Sequence, residues 1–206
     1  MPHPNVFRFE EHPEAHVFPR TTPEAISAMS RRLGIRVLTD WASFLLERNG
    51  YDFNTVTVGR PLQAPYKFAD TALYLFGIGT GFEFNDIDQV LSDETRLERA
   101  YRQLLTPIGL CAGGNLLVQI TAGQTLGRVV MINHSIHVNM GPDVFERTAR
   151  RKLTDADKGT VIDLMIRNDL LIPLAPSLLA FFRLLIVEAD SDGTVINVQI
   201  SYDEQA

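Results

Sequence analysis

The chain has 206 residues, of which 45% are hydrophobic and 21% are charged, and its formal net charge is −6. This length suits one domain with additions, and this composition excludes an intrinsically disordered chain. The negative charge disfavours nucleic acid and anionic membranes as partners, and no apolar run reaches the roughly 18 residues of a membrane span.

The first half of the chain is predicted to begin with an arm and continue as helices. Residues 1–20 hold four prolines and are expected to form an extended N-terminal arm, so the single domain covers residues 21–206. A helix is predicted from Thr21, as its N-cap, to Gly34. A second helix ends at Asn49–Gly50, residues 51–58 are expected to be extended, and a third helix is predicted over 92–105, with Ser92 as its cap.

The second half is predicted to be mostly strands. Residues 106–110, 116–120 and 128–138 alternate with glycine-rich turns and predict antiparallel strands. Residues 160–171 fit either a helix or a strand, a buried helix is predicted over 177–190, and a last strand over 194–202. Helices, then strands, then more helix predict an α+β fold with a mainly antiparallel sheet flanked by helices. The segment 138–176 is interpreted as an insert or extension.

The glycines in the stretch "LYLFGIGTGFEFND", residues 73–86, raise the question of a nucleotide-binding site. Gly77, Gly79 and Gly81 follow an apolar run, but they form G-x-G-x-G and not the dinucleotide fingerprint G-x-G-x-x-G. Acidic residues follow, with no basic residue to offset phosphate charge, and no Walker motif occurs in the chain. We therefore expect these glycines to bend the backbone after a strand or to let it approach another segment closely.

No motif supports a catalytic, metal or cofactor site. Cys111 and His134 are the one thiol–imidazole pair that could be imagined, yet a lone cysteine in an apolar segment is more often a packed side chain. His12 and His16 lie in a proline-rich segment that disfavours a helical metal site. As the chain's only cysteine, Cys111 also excludes an internal disulfide framework and suits a reducing compartment. With no secretory signal at the N-terminus, we expect a cytoplasmic protein.

Acidic residues cluster directly after the glycines. Between residues 83 and 94 the chain has no Lys or Arg, and the acidic residues there are Glu83, Asp86, Asp88, Asp93 and Glu94. Such a run is typical of a solvated face. It is also how an acidic protein attracts a basic protein partner, so these five residues are the candidate partner-binding residues.

Four segments, in order, resemble the SUKH superfamily: "WASFLLERNGYDF", "ALYLFGIG", "LTPIGLCAGGNLLVQI" and "GRVVMINH". That superfamily includes yeast regulators of cell-wall synthesis and bacterial immunity proteins that neutralise toxins. The matching residues are Trp41, Phe44, Leu45, Asn49, Gly50, Pro107, Ile108, Gly109, Gly113, Gly114, Asn115, Gly127, Val129 and His134. The resemblance spans about residues 22–135, and the segment 138–176 has no counterpart in it.

The resemblance implies a SUKH-like α+β fold and a non-catalytic protein-binding function. The first expectation is an immunity-type protein that neutralises a cognate toxin, such as a basic nuclease, by direct binding. The alternative is a regulatory or scaffolding module in a larger complex. An enzyme that uses Cys111 and His134 is the third hypothesis, from a different class.

Overall fold

Two successive helices near the N-terminus are followed by runs of strands and further helices. The structure, a computed structural model, describes residues 7–8, 18–53, 56–58, 73–92, 97, 99–111, 114–132, 158–167, 170–182, 185–187 and 201–202. The helices are α1 (Pro23–Leu33), α2 (Thr39–Arg48), α3 (Ile87–Ser92), α4 (Lys158–Arg167) and α5 (Leu178–Phe182). The strands are β1 (Phe7–Arg8), β2 (Tyr51–Phe53), β3 (Val56–Val58), β4 (Leu73–Leu75), β5 (Leu105–Cys111), β6 (Asn115–Ile120), β7 (Val129–Ile132), β8 (Leu171–Ala175), β9 (Leu185–Val187) and β10 (Ser201–Tyr202).

The main sheet of the described residues has six antiparallel strands in the order β2-β4-β5-β6-β7-β8. Two antiparallel pairs, β1-β10 and β3-β9, lie outside it. At the centre, β5 and β6 form the predicted hairpin, and Gly114 takes a φ of 76° in its turn. The predicted α+β class with a mainly antiparallel sheet is confirmed.

The first helix forms almost where its sequence signals predict. Its N-cap is Thr22, whose Oγ1 accepts a hydrogen bond from the N–H of Ala25 at 3.2 Å, and Pro23 is the first helical residue. The predicted cap, Thr21, was wrong by one residue, because Pro23 fits best directly after the cap. Gly34 ends the helix in the left-handed conformation, as predicted.

The third predicted helix, over 92–105, is not found. A helix ends at Ser92 and does not begin there; residues 93–96 and 98 lie outside the described part, Arg99–Tyr101 is a single 3-10 turn, and β5 starts at Leu105. Arg102 is buried, and its guanidinium donates to the carbonyls of Leu91 and Leu97 at 3.1 Å each. This side chain satisfies backbone groups that a continuous helix would have paired internally.

In the C-terminal part, the last helix is shorter than predicted, and β8 adds a strand to the main sheet. Ser177 caps α5, accepting from the N–H of Ala180 at 3.1 Å, but this helix ends at Phe182 and 185–187 form a strand. The ambiguous segment 160–171 is helical up to Arg167. The segment 138–176, interpreted as an insert or extension, contains α4 and also β8, which pairs with β7.

One hydrophobic core joins the helices to the sheet. Trp41 on α2 is fully buried and stacks on Phe44, with ring centroids 4.8 Å apart. Phe44 in turn packs against Phe182 of α5, with ring centroids 5.5 Å apart. Trp41, one of the residues that carry the SUKH resemblance, is therefore a core residue. In the part of the chain that the structure describes, no helix combines the length and apolar character needed to cross a bilayer.

Candidate functional site

The glycine loop, residues 77–86, links β4 to α3 and closes on itself. The N–H of Gly77 donates to the carbonyl of Asn85 at 2.7 Å, and the N–H of Ile87 donates to the carbonyl of Gly77 at 3.1 Å. Gly79 and Gly81 have φ values of 61° and 78°, in the left-handed region that side chains disfavour. The glycines therefore bend the chain after a strand, as predicted.

Gly77 also allows the close approach that the sequence predicted. A Cβ atom at this position would lie 1.9 Å from the carbonyl oxygen of Asn49, which is backbone. The start of the loop therefore lies directly against the C-terminal end of α2. Only a residue without a side chain fits between them.

Asn49 fixes the other side of this contact. It adopts the left-handed conformation with a φ of 51° and is almost fully buried. Its Oδ1 accepts from the N–H of Ile78 at 2.8 Å, while its Nδ2 donates to the carbonyls of Ile78 at 3.0 Å and Pro19 at 2.6 Å. The backbone of Asn49 thus ends α2, and its side chain holds both the glycine loop and the segment that precedes α1.

Two further buried side chains hold the C-terminal half of the loop. Asn85 donates from Nδ2 to the carbonyls of Tyr51 at 3.1 Å and Leu75 at 3.4 Å. The carboxylate of Asp86 accepts from the N–H of Thr80 and from the N–H of Asp88, both at 3.0 Å. Asp86 therefore caps the N-terminus of α3 and joins the two ends of the turn from Thr80 to Asp86.

The tip of the loop presents two large apolar side chains on either side of an exposed acidic one. Phe82 and Phe84 have exposed fractions of 45% and 51%, and Glu83 between them is exposed. Phe82 and Phe18 meet edge to face, with ring centroids 5.6 Å apart, and the centroids of Phe84 and Tyr74 are 5.8 Å apart. We call Phe82, Glu83 and Phe84 the loop-tip patch.

Of the five acidic residues predicted to bind a partner, the three that the structure describes lie in different environments. Glu83 belongs to the loop-tip patch, whereas Asp86 is buried and occupied inside the loop. Asp88 is ion-paired with Arg32 of α1, and its hydrogen bond raises the pKa of that guanidinium. Asp93 and Glu94 lie outside the described residues.

The sequence interpretation missed the two phenylalanines of the loop-tip patch. The local signal was present, since "GFEFND" places them on alternate positions around an acidic residue, next to glycines. Phenylalanine, however, is normally assigned to the core. Only the folded chain shows that this loop turns them outward.

Cys111 lies in an environment that suppresses thiol reactivity. It is buried in β5, 3.5 Å from the carbonyl oxygen of Asn115 and 3.3 Å from the Sδ of Met131. Burial raises the pKa of Cys111 to about 12, and reactive cysteines have a lowered pKa and partial exposure. His134, its imagined partner, lies outside the described residues, as do the other four histidines.

Among the described residues, no three His, Cys, Asp or Glu side chains come together in a way that could hold a metal ion. The histidines of the rejected metal motifs, including His12 and His16, are outside this part of the chain. We therefore take the loop-tip patch, with its base fixed by Asn49, Asn85 and Asp86, as the candidate functional site.

No protein-family model, no curated protein and no solved structure matches this chain. The resemblance to the SUKH superfamily therefore stays a prediction from the motifs in the sequence. What the structure adds is where some of those motif residues lie. Asn49 and Gly50 end a helix, Pro107, Ile108 and Gly109 lie in the central strand β5, and Gly114 lies in the hairpin turn.

Proposed function

We propose that this chain is a non-catalytic protein-binding domain of the immunity type, which neutralises a cognate bacterial toxin by binding it directly. The observation that carries the proposal is the loop-tip patch, where two half-exposed phenylalanines project from a loop whose base is fixed. Aromatic side chains, phenylalanine included, are enriched at the cores of protein interfaces. Phe82 and Phe84 pack against Phe18 and Tyr74, but the exposed part of each ring contributes nothing to the stability of the folded chain.

The fixed base favours this role because binding to a rigid surface loses less conformational entropy. Ordering a flexible side chain or loop at an interface costs about 0.5–1.5 kcal/mol for each immobilised side chain. Here Asn49, Asn85 and Asp86 already hold the backbone beneath the loop-tip patch. A partner would therefore meet a preformed surface.

Charge favours a basic partner. The chain has a net charge of −6, and Glu83 places one carboxylate at the centre of the loop-tip patch. An acidic inhibitor attracts a cationic protein such as a nuclease and speeds their association. In this proposal Glu83 is a contact, Asp86 positions the loop, and Asp93 and Glu94 contribute to the local negative field. The charge of Asp88 is balanced by Arg32.

The proposal needs no reaction, and the burial of Cys111 supports that choice. A thiol whose pKa is raised to about 12 is almost entirely protonated at neutral pH. We place the encounter in the cytoplasm, because a chain with a single cysteine suits a reducing compartment. This location is part of the proposal.

Coexpression with the product of the adjacent gene tests the function, because an immunity protein is normally encoded beside its toxin. We expect the neighbouring protein to arrest growth alone and this chain to restore growth. Purified, the two proteins should bind directly in calorimetry. A double variant Phe82→Ala/Phe84→Ala should bind at least about 30-fold more weakly, the loss expected of interface hot spots.

Leu126→Ala is the matched control, since Leu126 is 52% exposed in the separate turn between β6 and β7. It should leave both affinity and growth protection unchanged. If the double variant and the control bound the partner equally well, the loop-tip patch would not be part of the interface. Binding to a neighbour that is not toxic would instead point to the regulatory or scaffolding module.

A further inference from the structure

A second surface feature lies apart from the loop-tip patch, at the C-terminal end of α1. It is a cleft of about 450 Å³ formed by α1, the connector to α2, the start of α2 and the turn before β5. Its apolar lining comes from Ile26, Ile35, Val37 and Ala42, of which the two isoleucines are buried. The cleft is open to solvent on one side, and its volume lies in the range of sites for small molecules.

The rim of this cleft is positive on a protein that is negative overall. Arg31 and Arg36 both line it and are both exposed, and the residues that line it include no Asp or Glu. Within the described residues no carboxylate pairs with Arg31, whereas its neighbour Arg32 is paired with Asp88. Two guanidinium groups beside one cleft repel each other, and an anion placed between them would relieve that repulsion.

Arg36 is held in place before any ligand arrives. Its Nη1 donates to the carbonyl of Thr121 at 3.0 Å, and its own carbonyl accepts a hydrogen bond from the hydroxyl of Thr106. A guanidinium has five N–H donors, so this contact leaves others for a ligand. Gln103 braces the same connector by donating to the carbonyl of Gly34 at 2.7 Å. Arg36 and the connector beneath it are therefore held in place.

We propose that this cleft binds a small amphipathic carboxylate. The carboxylate would lie between Arg31 and Arg36, and its aliphatic body would cover the apolar lining of Ile26, Ile35 and Val37. The planar guanidinium fork matches the geometry of a carboxylate, which is why this head group fits. The proposal is independent of the proposed toxin-binding function, because it uses none of the residues of the loop-tip patch.

Octanoate is the probe, and octanamide is its uncharged match. We expect octanoate to bind saturably in calorimetry and octanamide to bind at least about tenfold more weakly, since hydrogen bonds to a charged group are the stronger ones. In ¹H–¹⁵N spectra the shifts caused by octanoate should concentrate on residues 26–37, Ala42 and Gln103. Arg31→Gln should weaken octanoate binding at least about tenfold, and Arg167→Gln on α4 should not change it.

Ala42→Leu supplies a second variant that keeps both arginines and fills the cleft, and it should abolish octanoate binding. Thermal unfolding of each variant checks that it is folded. Equal affinity for octanoate and octanamide would overturn the proposal, as would undiminished binding by Arg31→Gln or spectral shifts centred on Phe82 and Phe84. Any of these results would leave the proposed function standing, because growth protection and toxin binding are measured separately.

Discussion

At the scale of single residues, three buried polar side chains hold the glycine loop in place. Asn49 and Asp86 bind backbone groups of the loop itself, and Asn85 donates to the carbonyls of Tyr51 in β2 and Leu75 in β4. A buried polar group without such a partner costs about 1–3 kcal/mol, so these side chains are fully engaged inside the protein. An acidic residue in a charged run can therefore be a structural cap, as Asp86 is, and contribute no contact.

Cys111 gives a pH-dependent prediction at the same scale. Its pKa is raised from 9.0 to about 12 in the folded chain, chiefly because burial disfavours the thiolate. The unfolded chain releases this proton first, so the stabilisation is fully present below pH 9 and is lost as the pH rises towards 12. The loss amounts to about 4 kcal/mol at most.

Urea unfolding at pH 8, 9 and 10 measures this dependence, with Cys111→Ser as the control that has no titrating thiol. The free energy of unfolding should fall more steeply with pH in the unmodified chain than in the variant. Other groups titrate in this range in both proteins, so the difference between them isolates Cys111. Parallel profiles would show that the thiol is accessible enough to ionise in the folded state.

At the scale of elements, sequence succeeds where the determining contacts are local. Thr22, Pro23 and Gly34 bound α1 through neighbours within four residues, and Asn49 ends α2 in the same way. The predicted third helix was wrong because the conformation of this segment depends on contacts between residues far apart in the sequence. Arg102 reaches the carbonyl of Leu91, eleven residues away, and this contact favours turns over a continuous helix.

The approach of the glycine loop to α2 gives the element-scale prediction. Gly77→Ala would force a Cβ into the carbonyl oxygen of Asn49, and backbone there cannot move aside without breaking the hydrogen bonds of Asn49. We expect a loss of about 3 kcal/mol or more in the free energy of unfolding, measured in urea.

Gly79→Ala is the matched control in the same loop. A Cβ at Gly79 would meet open space, so the cost is only that of a left-handed backbone with φ of 61°, about 1–2 kcal/mol. A Gly77→Ala protein as stable as the Gly79→Ala protein would mean that the loop and α2 do not pack as closely as described.

At the scale of the whole molecule, the fold class was predictable and the arrangement was not. The order of helices and strands predicted an α+β fold with an antiparallel sheet. Nothing local in 138–176 indicates that β8 lies beside β7, because that pairing joins residues about forty positions apart. The exposure of Phe82 and Phe84 is likewise a property of the complete fold, which is why the candidate site was predicted only through Glu83.

The position of β8 leads to a prediction about cooperativity. It is the last strand of the main sheet, with Leu171 and Leu174 buried and Pro173 exposed at the edge. A strand that shares the core should open only when the whole domain unfolds. The amides of β6, two strands away, exchange with solvent only after an opening reaction. Leu174→Ala should therefore lower the free energy of that opening by about 2–5 kcal/mol. Native-state hydrogen exchange measures it.

Pro173→Ala serves as the control on the same strand, because it changes an exposed side chain and should shift the opening free energy of β6 by less than about 1 kcal/mol. If the segment 138–176 were a separate insert, Leu174→Ala would speed exchange in β8 and leave β6 protected. Equal destabilisation of both strands requires that β8 belong to the same cooperative unit as the central hairpin. The sheet that supports the glycine loop would then extend, as one unit, to residues that have no counterpart in the SUKH resemblance.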